Sequence, residues 1–189
     1  MKQKFQIDFL KEMGLKPQNT LLDIGCGTLR GGIPIIQFLE EEKYFGIDVR
    51  EKVIEEAFKE LREEKLEHKK PNIEVFSDFK ELNYEHSFDI IFAFSVLIHM
   101  SDDIAENCIR FASTKLTNDG MFCANVNIGD RKDGNWQGYP IVFRSFKFYQ
   151  KIASKYNLHV EDLGTLKSLG HDTQNQTADC QIMLKFTQE

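Results

Sequence analysis

A chain of 189 residues is near the usual size of one domain, so a single hydrophobic core and no separate substrate domain are expected. With 41% hydrophobic and 29% charged residues, and only 4 Pro, its balance is that of a globular chain, which excludes extended disorder and fibrous repeats. The 24 Lys and Arg against 30 Asp and Glu leave a formal net charge of -6. That speaks against a surface built to hold nucleic acid or anionic lipid by bulk electrostatics, though a local basic pocket stays open. The strongest apolar run, residues 88–100, is broken by Asp89 and His99 and is too short for a membrane-spanning helix. The N-terminal residues lack the unbroken apolar stretch of a secretion signal, so a cytoplasmic chain is expected. Cys26, Cys108, Cys123 and Cys180 are scattered rather than paired at two-residue spacing, which fits neither a zinc site nor a disulfide framework.

In chain order, Phe5, Phe9 and Met13 recur at helical spacing and Gly14 follows as a C-terminal cap. Residues 20–24 are a short apolar run ending in glycines, which predicts strand one. Ile33, Ile36, Phe38 and Leu39 then predict a helix to about residue 42. Residues 44–48 read as strand two, and Val53, Ile54, Ala57, Phe58 and Leu61 as a helix that dissolves into charge before Pro71. Strands three and four are expected over 73–76 and 88–94, a helix over 105–116 ended by Asn118-Asp119-Gly120, and strand five over 121–126. After an irregular stretch, residues 145–156 read as helical and residues 158–163 and 178–186 as extended.

Strands separated by helices pair in parallel through right-handed crossovers, whereas the last two, with no helix expected between them, pair antiparallel. The expected fold is α/β: a doubly wound, mostly parallel seven-stranded sheet with an antiparallel C-terminal strand. In such sheets ligands lie beyond the C-terminal strand ends.

The segment Leu21-Leu-Asp-Ile-Gly-Cys-Gly-Thr-Leu-Arg-Gly-Gly32 follows strand one and opens a helix, the context in which a glycine-rich loop is informative. Its Asp23-x-Gly25-x-Gly27 resembles the first motif of the class I S-adenosylmethionine-dependent methyltransferases. The segment from Phe88 to Met100 is similar to the family's fourth-strand motif, and Leu116-x-x-Asp-Gly120 to its turn into strand five. The resemblance spans residues 20–126 and continues beyond them in strand order only. It implies a Rossmann-like methyltransferase fold in one domain, with an N-terminal lead-in over 1–19, a cofactor-binding core over 20–126 and an acceptor side over 127–189. It also implies S-adenosylmethionine as cofactor and S-adenosylhomocysteine as product.

Carried over residue by residue, the resemblance gives the first-loop cofactor contacts to Asp23, Gly25, Cys26 and Gly27. Asp48, 21 residues after Gly27, would accept from both ribose hydroxyls, with Val49 beside it, although Asp48 would equally serve as a helix N-cap. Ser77, Asp78 and Phe79 look like the adenine site, Asp78 taking the exocyclic amine and Phe79 lying against the ring, with a solvated loop as the plainer reading. Phe94 and Ser95 would flank the methionine moiety. Such a cofactor carries its own reactive sulfonium, so placement of the methyl group is most of the mechanism and no metal is required.

Acceptor residues must come from the loops after strands one, four and five and from the final loop. His99 is the first candidate base and His171, followed by Asp172, the second; a loop-fixing role explains His99 equally well. Arg30, Arg131 and Arg144 would make a positive pocket for a phosphate or carboxylate, or else form ordinary ion pairs. Trp136 and Tyr139 lie in a glycine-rich stretch suited to closing over an acceptor, or to a plain surface loop. The fourth-strand segment lacks the Asn/Asp-Pro-Pro-aromatic motif of base-amino methylation, and no Pro-Cys pair suggests carbon methylation. The expected activity is therefore O-methylation of a small molecule, such as a sugar or an anionic metabolite, by a monomer or homodimer with no nucleic-acid or membrane partner. The alternatives are an NAD(P)-dependent oxidoreductase, which Asp23 weighs against, and a noncatalytic cofactor-binding subunit.

Overall fold

The computed structural model describes residues 2–189. Seven strands form one sheet in the order β3-β2-β1-β4-β5-β9-β8. They are β1 (Leu21–Ile24), β2 (Tyr44–Asp48), β3 (Asn72–Val75), β4 (Phe88–Ala93), β5 (Leu116–Val126), β8 (Leu158–Thr165) and β9 (Ile182–Gln188). β1 pairs in parallel with β2 and β4, as do β3 with β2 and β5 with β4, while β9 runs antiparallel to both β5 and β8. This is the doubly wound, mostly parallel sheet with one reversed strand that the alternation of periodicities predicts.

Period two puts successive side chains on opposite faces, and both faces are buried. Leu22, Ile91, Ala93, Phe122 and Ala124 face one cluster with α4 (Asp102–Lys115) and α5 (Phe146–Lys155). Leu21, Ile90, Phe92 and Cys123 face the other, with α1 (Lys2–Glu12), α2 (Gly32–Phe38) and α3 (Glu51–Glu63). Ser145 caps α5 by accepting from the Phe148 N–H at 3.3 Å. No helix among the described residues is long and apolar enough to cross a membrane.

Three local expectations change. Asn118-Asp119-Gly120 does not separate the helix from strand five but bulges within β5, which starts at Leu116: Phe88 pairs with Leu116 and Ile90 with Met121, so the intervening residues loop out of one continuous strand. The irregular stretch contains a hairpin of β6 (Gly134–Trp136) and β7 (Tyr139–Ile141), closed by Gln137 and Gly138, both at positive φ. Such a pair matches the strands' twist but lacks the Asn-Gly or Asp-Gly signature by which hairpins are read. Residue 178 lies in a short helix, α6 (Gln176–Asp179), because Asn175 accepts from the Thr177 and Ala178 N–H groups and caps it; only from Ile182 is the chain a strand.

β1 also buries a carboxyl. Asp23 is 5% exposed and accepts from the Tyr44 hydroxyl at 2.6 Å. Burial pushes its pKa up to about 7, against the lowering effect of the Tyr44 bond and with the nearby Asp48 charge adding to the rise. The folded chain thus keeps a proton that the unfolded chain releases above about pH 4. Stability from this group is full at low pH and is lost as the pH rises from about 4 to about 7. Asp23→Asn, still an acceptor for Tyr44, is expected to remove that loss. Urea unfolding across pH 5–8 should show a variant that gains on the wild type by up to about 1.4 kcal/mol per pH unit; parallel profiles would show that Asp23 stays ionised.

Candidate functional site

The C-terminal ends of β1, β2, β4 and β5 converge on one side of the sheet. Gly25 leaves β1 at φ +72°, with its N–H on the Ile47 carbonyl at 2.7 Å. A Cβ on Gly25 would lie 2.5 Å from Cγ2 of Val96, so the loops after β1 and β4 touch where only glycine fits. Gly27, at φ +58°, donates its N–H to Oδ2 of Asp48 at 3.2 Å.

Asp48 ends β2 with 3% exposure. Besides Gly27 it accepts from Arg50 three times: the backbone N–H at 3.0 Å and Nε at 2.9 Å on Oδ1, and Nη2 at 3.0 Å on Oδ2. Arg50, not Asp48, is the N-cap residue of α3. Bonding to Asp48 holds the guanidinium and pushes its pKa up, against the lowering effect of its partial burial. Arg50 escaped sequence reasoning; the signal was a fork-shaped cation two residues after the acid that ends strand two.

After β4 the chain turns sharply. Ser95 sits at φ +60°, a costly conformation for a residue with a Cβ, and donates its N–H to Oδ1 of Asn125 at 2.6 Å. Asn125, fully buried in β5, in turn donates to Oε1 of Gln181 at 2.6 Å. A carboxamide in the otherwise apolar run of strand five was the sequence signal for this support. A 3₁₀ turn over Leu97–His99 follows. His99 Nδ1 lies 2.6 Å from the Pro140 carbonyl oxygen. A carbonyl only accepts, so Nδ1 carries the proton and Nε2 of the neutral ring keeps its lone pair. The Val142 N–H on the Ile98 carbonyl and the His99–Tyr139 ring contact at 5.8 Å fasten the β6–β7 hairpin to this turn.

These elements enclose a cavity of about 770 Å³. Gly25, Asp48, Val49, Phe94 and Ser95 line it from the first, second and fourth strands, and Ser77, Asp78 and Phe79 from the loop after β3. Arg30, His99, Trp136 and Tyr139 stand on its other walls, joined by Arg50, Ile104 and Asn107, which sequence reasoning did not single out. A smaller cavity of about 420 Å³ against edge strand β3 shares Ser77 and Asp78. Among the described residues, four of the six exposed large apolar side chains, Val49, Ile104, Trp136 and Tyr139, lie on the larger cavity.

Other sequence-predicted residues stand back from it. Asp23 lies beneath the first loop with Tyr44. Cys26 is buried, its thiol pKa pushed up chiefly by that burial, and its N–H donates to the Ile47 carbonyl. His171 is 5% exposed and packs on the Phe5 and Phe94 rings at 4.6 and 5.4 Å. Asp172 accepts from the Gln174 N–H and pairs with Lys167. Arg144 pairs with Asp102 and Asp133 at 2.5 and 2.7 Å, and Arg131 lies over the Phe143 ring.

Residues 22–122 match the family described as a methyltransferase domain, more than half of the chain. The chain belongs to that family. Among solved structures, this methyltransferase is similar to an S-adenosylmethionine-dependent methyltransferase from Clostridium acetobutylicum, with 14% identity, a TM-score of 0.74 and coverage of 99% of this chain and 90% of that one. It is also similar to magnesium protoporphyrin IX methyltransferase from Synechocystis with bound S-adenosylhomocysteine, with 17% identity, a TM-score of 0.75 and coverage of 100% and 83%. A glycopeptide N-methyltransferase matches with 8% identity, a TM-score of 0.73 and coverage of 100% and 91%. At such identities the structures speak for the fold. The Synechocystis enzyme has also been solved with bound S-adenosylmethionine.

Asn125→Leu, similar in size but unable to accept from Ser95, is expected to lower unfolding free energy by about 1–3 kcal/mol. It should also weaken S-adenosylhomocysteine binding about tenfold, as loss of one such bond would. Unchanged affinity by calorimetry would show that Ser95 keeps its conformation without the carboxamide.

Proposed function

We propose that this methyltransferase moves a methyl group from S-adenosylmethionine to an oxygen of a small acceptor, a sugar or a phosphorylated or otherwise anionic metabolite, with His99 as general base. Residues 20–126 hold the cofactor and residues 127–189 meet the acceptor, joined there by His99 and Arg30 from the core, all within one domain.

The cavity suits the cofactor group by group. Gly25 lets the loops after β1 and β4 meet at the cavity's edge, where a Cβ would strike Val96. Asp48 ends β2 with both oxygens turned to N–H donors, a position from which it serves the ribose diol. Val49, 60% exposed, and Ile104, 47% exposed, offer apolar surface to adenine, with Asp78 and Ser77 within reach of its polar edge. Phe94 and Ser95 border the methionine end. When bound, the cofactor supplies an electrophilic methyl on a sulfonium; the chain aligns the acceptor, excludes water and takes up the proton.

One observation carries the choice of base: the Pro140 carbonyl fixes the His99 tautomer and leaves Nε2 as an acceptor on a cavity wall. His171, the second candidate, is packed between Phe5 and Phe94, so the proposal rests on His99. Trp136 and Tyr139, 57% and 44% exposed on the hairpin, form the acceptor's apolar wall, and Arg30 provides positive charge. Arg131 and Arg144 serve the hairpin's base through Phe143, Asp102 and Asp133.

His99→Ala is expected to cut turnover on a hydroxylated acceptor by about 10²–10⁴-fold while S-adenosylhomocysteine affinity stays within about twofold. Full turnover in that variant would remove the base role. Asp48→Ala is expected to weaken S-adenosylhomocysteine binding by about tenfold or more. Wild-type affinity by calorimetry would place the ribose elsewhere.

A further inference from the structure

We propose that Arg50 changes partner during the reaction cycle: cofactor binding displaces its guanidinium from Asp48, and the freed fork then binds an anionic group, carboxylate or phosphate, on the acceptor. The inference rests on the proposed acceptor reading and names the charge that the acceptor carries.

A carboxylate offers about four acceptor positions, and Asp48 receives four N–H groups, two on each oxygen. Two belong to the backbone of Gly27 and Arg50 and are fixed by the first loop and the start of α3. The other two come from the Arg50 side chain, Nε on Oδ1 and Nη2 on Oδ2. A ribose diol likewise presents two hydroxyl donors to the two oxygens of one acid. The diol and the guanidinium therefore compete for the same pair of positions, and binding replaces one two-pronged donor by another.

The mobile half of the pair is Arg50. Its side chain is 47% exposed while that of Asp48 is 3% exposed, so the arginine can turn into the cavity and stay hydrated where the buried acid cannot move. The direction of movement is also marked. Arg50 lines the same cavity as Tyr139 and His99, and the Tyr139 ring contacts that of His99. Arg30 lines the same cavity. A guanidinium released from Asp48 beside Tyr139 and His99 sits on the acceptor side with its fork open, where it takes a carboxylate or phosphate oxygen pair. Cofactor and anionic acceptor then strengthen each other's binding, and the coupling is reciprocal.

Calorimetric titration of the full chain with S-adenosylhomocysteine tests this, in chloride and in inorganic phosphate at matched ionic strength, for wild type, Arg50→Met and Arg50→Lys. Circular dichroism and thermal melts confirm that each variant is folded. In chloride, Arg50→Met is expected to bind about twofold to fivefold more tightly than wild type, the yield of breaking a half-exposed ion pair. Arg50→Lys, lacking the fork, is expected to fall between them. Phosphate is expected to tighten binding in the wild type and to have no effect in Arg50→Met. Equal or weaker binding by Arg50→Met in chloride overturns the exchange, as does phosphate coupling that is absent from the wild type or persists without Arg50. A wild type that fails to bind S-adenosylhomocysteine at all would instead remove the functional reading beneath it, and the exchange with it.

Discussion

The site is organised around a buried carboxylate that must be surrounded by donors. Removing Asp48 from water leaves its charge dependent on N–H groups, and those that reach it come from two segments that would otherwise be independent, the glycine loop after β1 and the start of α3. The Gly27 bond draws the first loop over the end of β2. Gly25 can then approach the loop after β4 closely enough that Val96 occupies the space of a missing Cβ. One acid thus sets the spacing of three strand ends, and the same acid lines the cavity proposed for the cofactor. Structure and binding draw on one set of lone pairs, which is why Arg50 matters to both.

Irregular backbone around the cavity is secured by buried amides. Asn125 holds Ser95 in a left-handed conformation and is itself held by Gln181, while Asn127 donates to the Val142 carbonyl at 3.0 Å and fixes the base of the hairpin. These carboxamides lie at or just beyond the ends of β5 and β9, so the sheet's rigidity extends into the loops. His99, gripping the Pro140 carbonyl, ties the hairpin to the loop after β4 from the cavity side. The hairpin proposed as the acceptor wall and the candidate base are therefore joined.

Much of this was legible in the chain. Alternating apolar residues in strands one, four and five divide between two clusters as period two requires, and the glycine loop with Asp48 downstream marks the cavity that Gly25, Val49, Asp78 and Ser95 line. What escaped depended on contacts between distant segments. The β6–β7 hairpin turns on Gln137-Gly138, a pair with little turn signature. Asn125 reads as a defect in an apolar strand until Ser95 and Gln181 are placed beside it. Positive charge divides in the same way: Arg30 lines the cavity and Arg144 forms the ion pairs that were its other reading, with Asp102 and Asp133, whereas Arg50, passed over in the sequence, also stands in the cavity.

Which cofactor class this cavity accepts is measured directly by side-by-side calorimetry of the wild-type chain with S-adenosylhomocysteine and with NAD(P). Micromolar binding of S-adenosylhomocysteine with no heat from either nicotinamide dinucleotide is the predicted result. Binding of NAD(P) alone would contradict it, leaving the fold in place and the assigned chemistry without support.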